Sequence, residues 1–207
     1  MAKLFHLVGS PRPDSESLAG ARVFLDNFRK ARPDWEVDEM SVWSDELPEF
    51  DGEILQAKYA RIAGRAFTDS QRDAFAVAER LAVRFALAER LLISTPMWNF
   101  GIPYKLKQWF DVISQPGLVF GFDPEHGYTG LLTGKRATVI YTSAVYGPGR
   151  GPAFGSDFQA PYLEDWLRWA GVDDIRTIHF RPNLATTDAD EGRRQAHARA
   201  RDLAKQF

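Results

Sequence analysis

A chain of 207 residues, 44% of them hydrophobic and 26% charged, is long enough for one α/β domain with a substantial core. With 26 Lys plus Arg against 28 Asp plus Glu, it offers no basic stripe for nucleic acid. It has no cysteine, which excludes disulfides, thiolate metal sites and thiol nucleophiles.

The elements follow in chain order. Leu4 to Val8 is a short apolar run that stops at Gly9 and reads as the first strand. Met1-Ala2-Lys3 leads into it without a secretory leader, and no run reaches the roughly 18 apolar residues of a membrane span, so a cytoplasmic protein with no membrane partner is expected. Ser10 to Ser17 is a loop rich in Pro, Ser and Asp, and Leu18 to Lys30 has helical spacing and ends before Pro33. Trp35 to Met40 alternates as a strand with one exposed face does, and residues 44–66 read as irregular. Thr68 with Gln71 forms a capping box for a helix whose core face is Phe75, Ala78, Ala82 and Phe85.

Leu91 to Thr95 is a buried strand, followed by the loop Pro96 to Pro103 and a helix carrying Leu106, Phe110 and Ile113, with proline at its first turn. Residues 115–133 are a long excursion in which Leu118-Val119-Phe120 and Tyr128 predict a small hairpin. Lys135 to Thr142 is the fourth strand, Tyr162 to Ala170 a helix and Ile175 to Phe180 the fifth strand. Asp188 to Gln206 is a polar terminal helix, its Glu191 to Lys205 stretch reading as a solvated face. Strands alternating with helices predict a doubly wound five-stranded parallel sheet over a single domain, residues 1–207, with helices on both faces. The order 2-1-3-4-5 puts the switch point between strands one and three. There the loops Gly9 to Ser17, Pro96 to Gly101 and Ser143 to Gly147 converge.

Ser10, Ser15 and Ser17 stand at a helix start, where unpaired amides and the helix dipole favour an anion. No Gly-x-Gly-x-x-Gly and no Gly-Lys-Ser/Thr appears, so one terminal phosphate suits the loop better than a pyrophosphate or triphosphate. The plain alternative is that Ser17 caps the helix and Ser10 belongs to a turn. In the second loop, the Asn99 amide can both donate and accept, which matches an imide-like edge, while Trp98 and Phe100 either wall a flat ring or plug the core. Ser143 to Gly147 is placed to supply amides to the other edge of such a ring. His6, His126, His179 and His197 show no metal-ligand spacing, and Ser143 lacks the flanking glycines of a nucleophile elbow.

On these residues the chain resembles the FMN-dependent NADH azoreductase and NAD(P)H:quinone oxidoreductase family, whose fold is flavodoxin-like. The strongest match is Pro96-Met97-Trp98-Asn99-Phe100 with Leu106-Lys107. Ser10, Ser15-Glu16-Ser17, Gly130 to Lys135, Thr142-Ser143, Pro161-Tyr162-Leu163 and Gly171-Val172 extend it over essentially the whole chain. The resemblance implies that Ser10, Ser15, Glu16 and Ser17 meet the FMN phosphate. Pro96, Met97, Trp98, Asn99 and Phe100 would meet the isoalloxazine, and Ser143, Ala144, Val145 and Tyr146 its pyrimidine side. Family members often carry a glycine pair after the serine, where this chain has Ala144-Val145-Tyr146, a change that narrows the site or shifts specificity. The resemblance further implies a homodimer, with Phe120, Tyr128, Trp166 and Trp169 as a substrate wall drawn partly from the partner subunit. The implied activity is two-electron ping-pong transfer from NADH or NADPH through FMN to quinones or azo dyes, with no catalytic side chain because the flavin carries the chemistry. The alternative is a flavodoxin-like electron carrier for a protein partner, against which the near-neutral charge and the 115–133 excursion argue.

Overall fold

A strand buried on both faces has to be apolar almost throughout, because helices cover it above and below. In the computed structural model, which describes residues 1–207, the chain begins β1 (Lys3–Val8), α1 (Glu16–Ala31) and β2 (Glu36–Ser41). It continues through α2 (Gly52–Ile62), α3 (Asp69–Ala86), β3 (Arg90–Pro96), α4 (Tyr104–Ile113), β4 (Phe120–Asp123) and β5 (Gly127–Gly130). It closes with β6 (Arg136–Thr142), α5 (Ala160–Trp169), β7 (Asp174–Phe180) and α6 (Ala189–Gln206). The main sheet is parallel, in the order β2-β1-β3-β6-β7. Setting aside the β4–β5 hairpin, this is the expected order 2-1-3-4-5.

Alternation sorts the side chains into two cores. Phe5, Leu7, Leu91, Ile93, Val139 and Tyr141 face α3, α4 and α5, where Phe85, Trp109, Phe110, Leu163 and Trp166 meet them. Leu4, Leu92, Ile140 and Ile178 face the other way, onto Phe24 and Phe28 of α1 and Ala196, Ala200 and Leu203 of α6. The terminal helix is therefore polar on one side only; small residues on its inner side let it lie close to α1.

Three local expectations need correction. Residues 44–66 are not irregular throughout, for α2 lies within them. Asp51 caps it by accepting from the amides of Glu53 and Ile54, and Ile54, Ala57 and Ala60 supply a buried stripe against α3. Ser15, not Ser17, is the N-cap of α1, its hydroxyl accepting from the Leu18 amide at 3.3 Å. Pro103 stands at the N-cap of α4, one residue ahead of the first turn. The Thr68 capping box and the expected core face of α3 are both present. The hairpin forms as Phe120 to Asp123 paired with Gly127 to Gly130, with Leu118 and Val119 ahead of its first strand.

Candidate functional site

The carboxyl ends of β1, β3 and β6 open on a crevice of about 270 Å³. Its lining brings together Ser10, Ser15 and Glu16 from the first loop, Pro96, Met97 and Trp98 from the second, and Ser143 and Ala144 from the third. Gly9 lets β1 and β3 run side by side here: a Cβ on it would lie 3.1 Å from the Ser94 carbonyl and 3.2 Å from Leu106. At the start of α1, the amides of Glu16 and Ser17 have no hydrogen-bond partner within the chain. The Ser15 and Ser17 hydroxyls lie 3.4 Å apart beside them, and the Ser10 hydroxyl accepts from the Arg12 amide at 3.3 Å. Buried hydroxyls beside unpaired amides at the positive end of a sixteen-residue helix are a donor set for a phosphate oxygen. The residues present thus fit the tail of FMN.

The second loop is a tight two-residue turn. Trp98 donates to the Gly101 carbonyl and Gly101 to the Trp98 carbonyl, each at 2.9 Å, while Asn99 and Phe100 have φ of 47° and 72°. Two positive φ values make this the type I′ geometry, easy for asparagine and strained for phenylalanine. Strain of that kind persists only where surroundings over-determine it. Here the Phe100 carbonyl accepts from the Phe158 amide at 2.9 Å, and its ring lies against Gly155 so closely that a Cβ there would meet Phe100 Cε1 at 2.2 Å. The turn thereby presents Asn99 outward and exposes its rings. Trp98 packs on Trp43 (5.3 Å between centroids), which in turn donates from Nε1 to the Gly9 carbonyl and so ties the first loop to the second.

Beyond Trp98 opens a larger cavity of about 920 Å³, bordered by Asn99, Ile102, Tyr104, Lys107, Phe158 and Tyr162. Small-molecule sites span roughly 300–1,000 Å³, so the two spaces that share Trp98 stand near the lower and upper ends of that range. The Lys107 ammonium sits 2.6 Å from Asp111, and burial raises the Tyr162 phenol above its ordinary range.

The third loop is held from below. The Ser143 hydroxyl accepts from the Tyr146 amide at 3.0 Å, and the Ser143 and Ala144 carbonyls accept from Asn183 and Leu184. Arg181, whose side chain is 2% exposed, pairs with Asp157 at 2.8 Å and lies over the rings of Tyr141 and Tyr146. Asp157 also accepts from the Gln159 and Ala160 amides and so starts α5.

His179 has one face on Tyr141 (centroids 5.3 Å apart) and an edge in solvent, and its Nδ1 accepts from Arg181. Desolvation by this packing, reinforced by the Arg181 charge, pushes the imidazole down from 6.5 to about 4. The unfolded chain therefore takes up this proton first as pH falls. Stability from neutral His179 is intact above about pH 6.5 and lost on the way down to about pH 4. His179→Gln is expected to flatten the dependence of Tm on pH in that window; an unchanged slope would mean another group titrates there.

Of the residues singled out in sequence, Ser10, Ser15, Glu16, Pro96, Met97, Trp98, Ser143 and Ala144 border the smaller crevice, and Trp98 and Asn99 the larger. Ser17 is fully buried just behind Ser15, Phe100 is turned onto Gly155, and Val145 is exposed. Phe120, Tyr128, Trp166 and Trp169 do come together, in one aromatic cluster with centroid spacings of 4.8 to 6.1 Å. That cluster borders neither of the two cavities described above: Trp166 is core, donating to the Ser114 hydroxyl and lying 4.4 Å from the Phe110 ring. Sequence reasoning missed Asn183, Leu184 and Arg193, which form a fourth wall of the crevice. Arg193 corrects the reading of the terminal helix as a wholly solvated face. Its guanidinium grips Glu16 at 2.7 Å, across 177 positions of chain, and no local pattern announces that contact.

The family described as having a flavodoxin-like fold matches residues 2–204. The chain is 54% identical to FMN-dependent NADH:quinone oxidoreductase 1 of Bradyrhizobium diazoefficiens, over the whole of both. It is 39% identical to an FMN-dependent NADH:quinone oxidoreductase of Ruegeria pomeroyi, covering 93% of this chain and 95% of that one. Among solved structures, an azoreductase from Bacillus anthracis superposes with a TM-score of 0.91 over the full length of both chains; at 23% identity the likeness speaks for the fold. The chain belongs to this flavodoxin-like family, together with the NADH:quinone oxidoreductases it resembles.

Proposed function

We propose that this chain is an FMN-dependent NADH:quinone oxidoreductase that also accepts azo compounds. The observation that carries the reading is the crevice itself: three strand-end loops, a set of buried hydroxyls beside unpaired helix amides, and a strained aromatic turn opening on a larger cavity. When bound, FMN supplies the redox chemistry, taking hydride from NADH and passing two electrons to the acceptor. The protein binds and orients. Ser10, Ser15 and Ser17, with the Glu16 and Ser17 amides, hold the phosphate. Pro96, Met97, Trp98, Asn99 and Phe100 meet the ring, the Asn99 amide offering both a donor and an acceptor to its polar edge. Ser143 to Tyr146 serve the pyrimidine side. The cavity bordered by Trp98, Tyr104 and Tyr162 receives flat acceptors by stacking.

Exposed Trp98, Tyr104 and Phe158 around that cavity support a homodimer that closes over it, with Phe120, Tyr128 and Trp169 serving the acceptor side of the assembly. We assign the enzyme to the cytoplasm, where NADH is available as the donor that its relatives' names specify. No helix is long and apolar enough to cross a membrane.

Asn99→Ala is expected to raise the FMN dissociation constant about 10-fold, the scale of one lost hydrogen-bond pair. Asn99→Gly separates the causes, since glycine adopts a φ of 47° without strain. Equal losses in both variants assign the effect to the amide; a loss in the alanine variant alone assigns it to the turn. The function itself is tested by steady-state NADH oxidation with a free quinone. Turnover with parallel double-reciprocal lines is expected, whereas oxidation that requires an added acceptor protein would point to an electron carrier.

A further inference from the structure

Glu16 poses a problem for an anion site. It is the first helical residue of α1, it borders the crevice, and its carboxylate would repel a phosphate at the neighbouring amides. Arg193 answers it. From α6 its Nε lies 3.2 Å from both Glu16 oxygens and its Nη2 2.7 Å from one of them, an arrangement that a lysine could not match. The guanidinium is steadied by the Phe180 ring, 5.5 Å away, and by Asp190 at 2.7 Å, whose side chain is 83% exposed and correspondingly screened. The other cation bordering the crevice, Arg12, is already paired with Asp14. Arg12 feels the Glu16 charge only at longer range and makes no hydrogen bond to it, so Arg193 is the cation in contact with Glu16.

We propose that Arg193 is the positioning residue that neutralises Glu16 at the phosphate end of the crevice, and that the pair sets the preference for a phosphorylated flavin over riboflavin. The inference rests on the reading of the crevice as an FMN site. It is distinct from a direct Arg193–phosphate contact: the arginine acts by removing a repulsion, so its loss should hurt only ligands that carry the phosphate, and only while Glu16 keeps its charge.

The experiment titrates the apo-protein with FMN and with riboflavin, following flavin fluorescence, for the wild type, Arg193→Met, Glu16→Gln and the double variant; the Tm of each apo-protein is recorded alongside. Arg193→Met is expected to raise the FMN dissociation constant about 10-fold, a deficit that shrinks with added salt, and to leave riboflavin within about 2-fold. The double variant should recover FMN binding to within about 3-fold of wild type. Glu16→Gln alone, which removes the carboxylate charge and retains Arg193, should bind FMN at least as tightly as wild type. Equal losses for FMN and riboflavin in Arg193→Met would make the residue merely structural. A double variant as weak as Arg193→Met would make it a direct phosphate ligand. Weaker FMN binding by Glu16→Gln would overturn the repulsion argument even if Arg193→Met failed to fold. A wild type that binds neither flavin would instead bring down the FMN reading, and this inference with it.

Discussion

Gly130→Ala is expected to lower Tm by about 6–12 °C, the consequence of roughly 3 kcal/mol lost in a chain of this size. Gly130 ends β5, and a Cβ on it would stand 2.2 Å from the Gly171 amide nitrogen and 2.4 Å from the Ala170 carbonyl carbon. Those are backbone atoms, which cannot rotate aside as a side chain could, so either the hairpin or the end of α5 has to move. The Leu132 amide also donates to the Ala170 carbonyl at 2.8 Å, and the same displacement disturbs that bond. Gly127→Ala is the control, since a Cβ there meets nothing within 4 Å and only its φ of +81° is strained. The hairpin lies outside the phosphate crevice. FMN affinity of the folded Gly130→Ala fraction is therefore expected to stay within about 2-fold of wild type. The KM for quinone should rise, because Phe120 and Tyr128 lie on the hairpin and pack against Trp169 at the end of α5, so parting the two disturbs all three rings. Thermal denaturation with a flavin titration reads both; an unchanged Tm would show that the two backbones separate without cost.

Gly155→Ala is expected to act the other way round, mildly on stability and strongly on the site. The added methyl would meet Phe100 Cε1 at 2.2 Å and Cδ1 at 2.5 Å, and the ring must swing off its seat. A flexible ring can do so cheaply, so the stability loss is mainly the strain of alanine at φ +92°, and Tm falls by about 3–6 °C. The turn, however, loses the contact that holds Phe100 at positive φ, and the Phe158 amide loses its alignment with the Phe100 carbonyl. The dissociation constant for FMN is expected to rise about 30-fold, roughly 2 kcal/mol. Wild-type affinity in Gly155→Ala would show that the seat of Phe100 is irrelevant to the flavin.

How much could be read in advance follows from where the information lies. Apolar runs between turn residues are local, so Leu91 to Thr95 and Lys135 to Thr142 were legible as strands, and the alternation of strands with helices carried the sheet order. The three loops were legible because topology alone gathers strand ends at a switch point. The short helix α2 was obscured by Gly52 at its start and Gly64 just past its end, which look like loop punctuation; the Ile54, Ala57, Ala60 spacing and the Asp51 cap were the available signal. The type I′ turn was half visible, since Asn99 invites positive φ while Phe100 does not. Its explanation, the empty place at Gly155, is a contact over 55 positions. Arg193 was hidden among the other charges of α6, and only the packing of α6 on α1 brings it to Glu16.

In the proposed function, the crevice above this sheet holds FMN, and NADH reduces it there for delivery to a quinone. The most direct measurement mixes the FMN-loaded protein with NADH under anaerobic conditions and follows the visible flavin band before and after adding a quinone. Bleaching by NADH, followed by return of the band at the expense of one equivalent of quinone, is the predicted result. A band that NADH leaves intact, or that stays bleached when quinone is added, would contradict it.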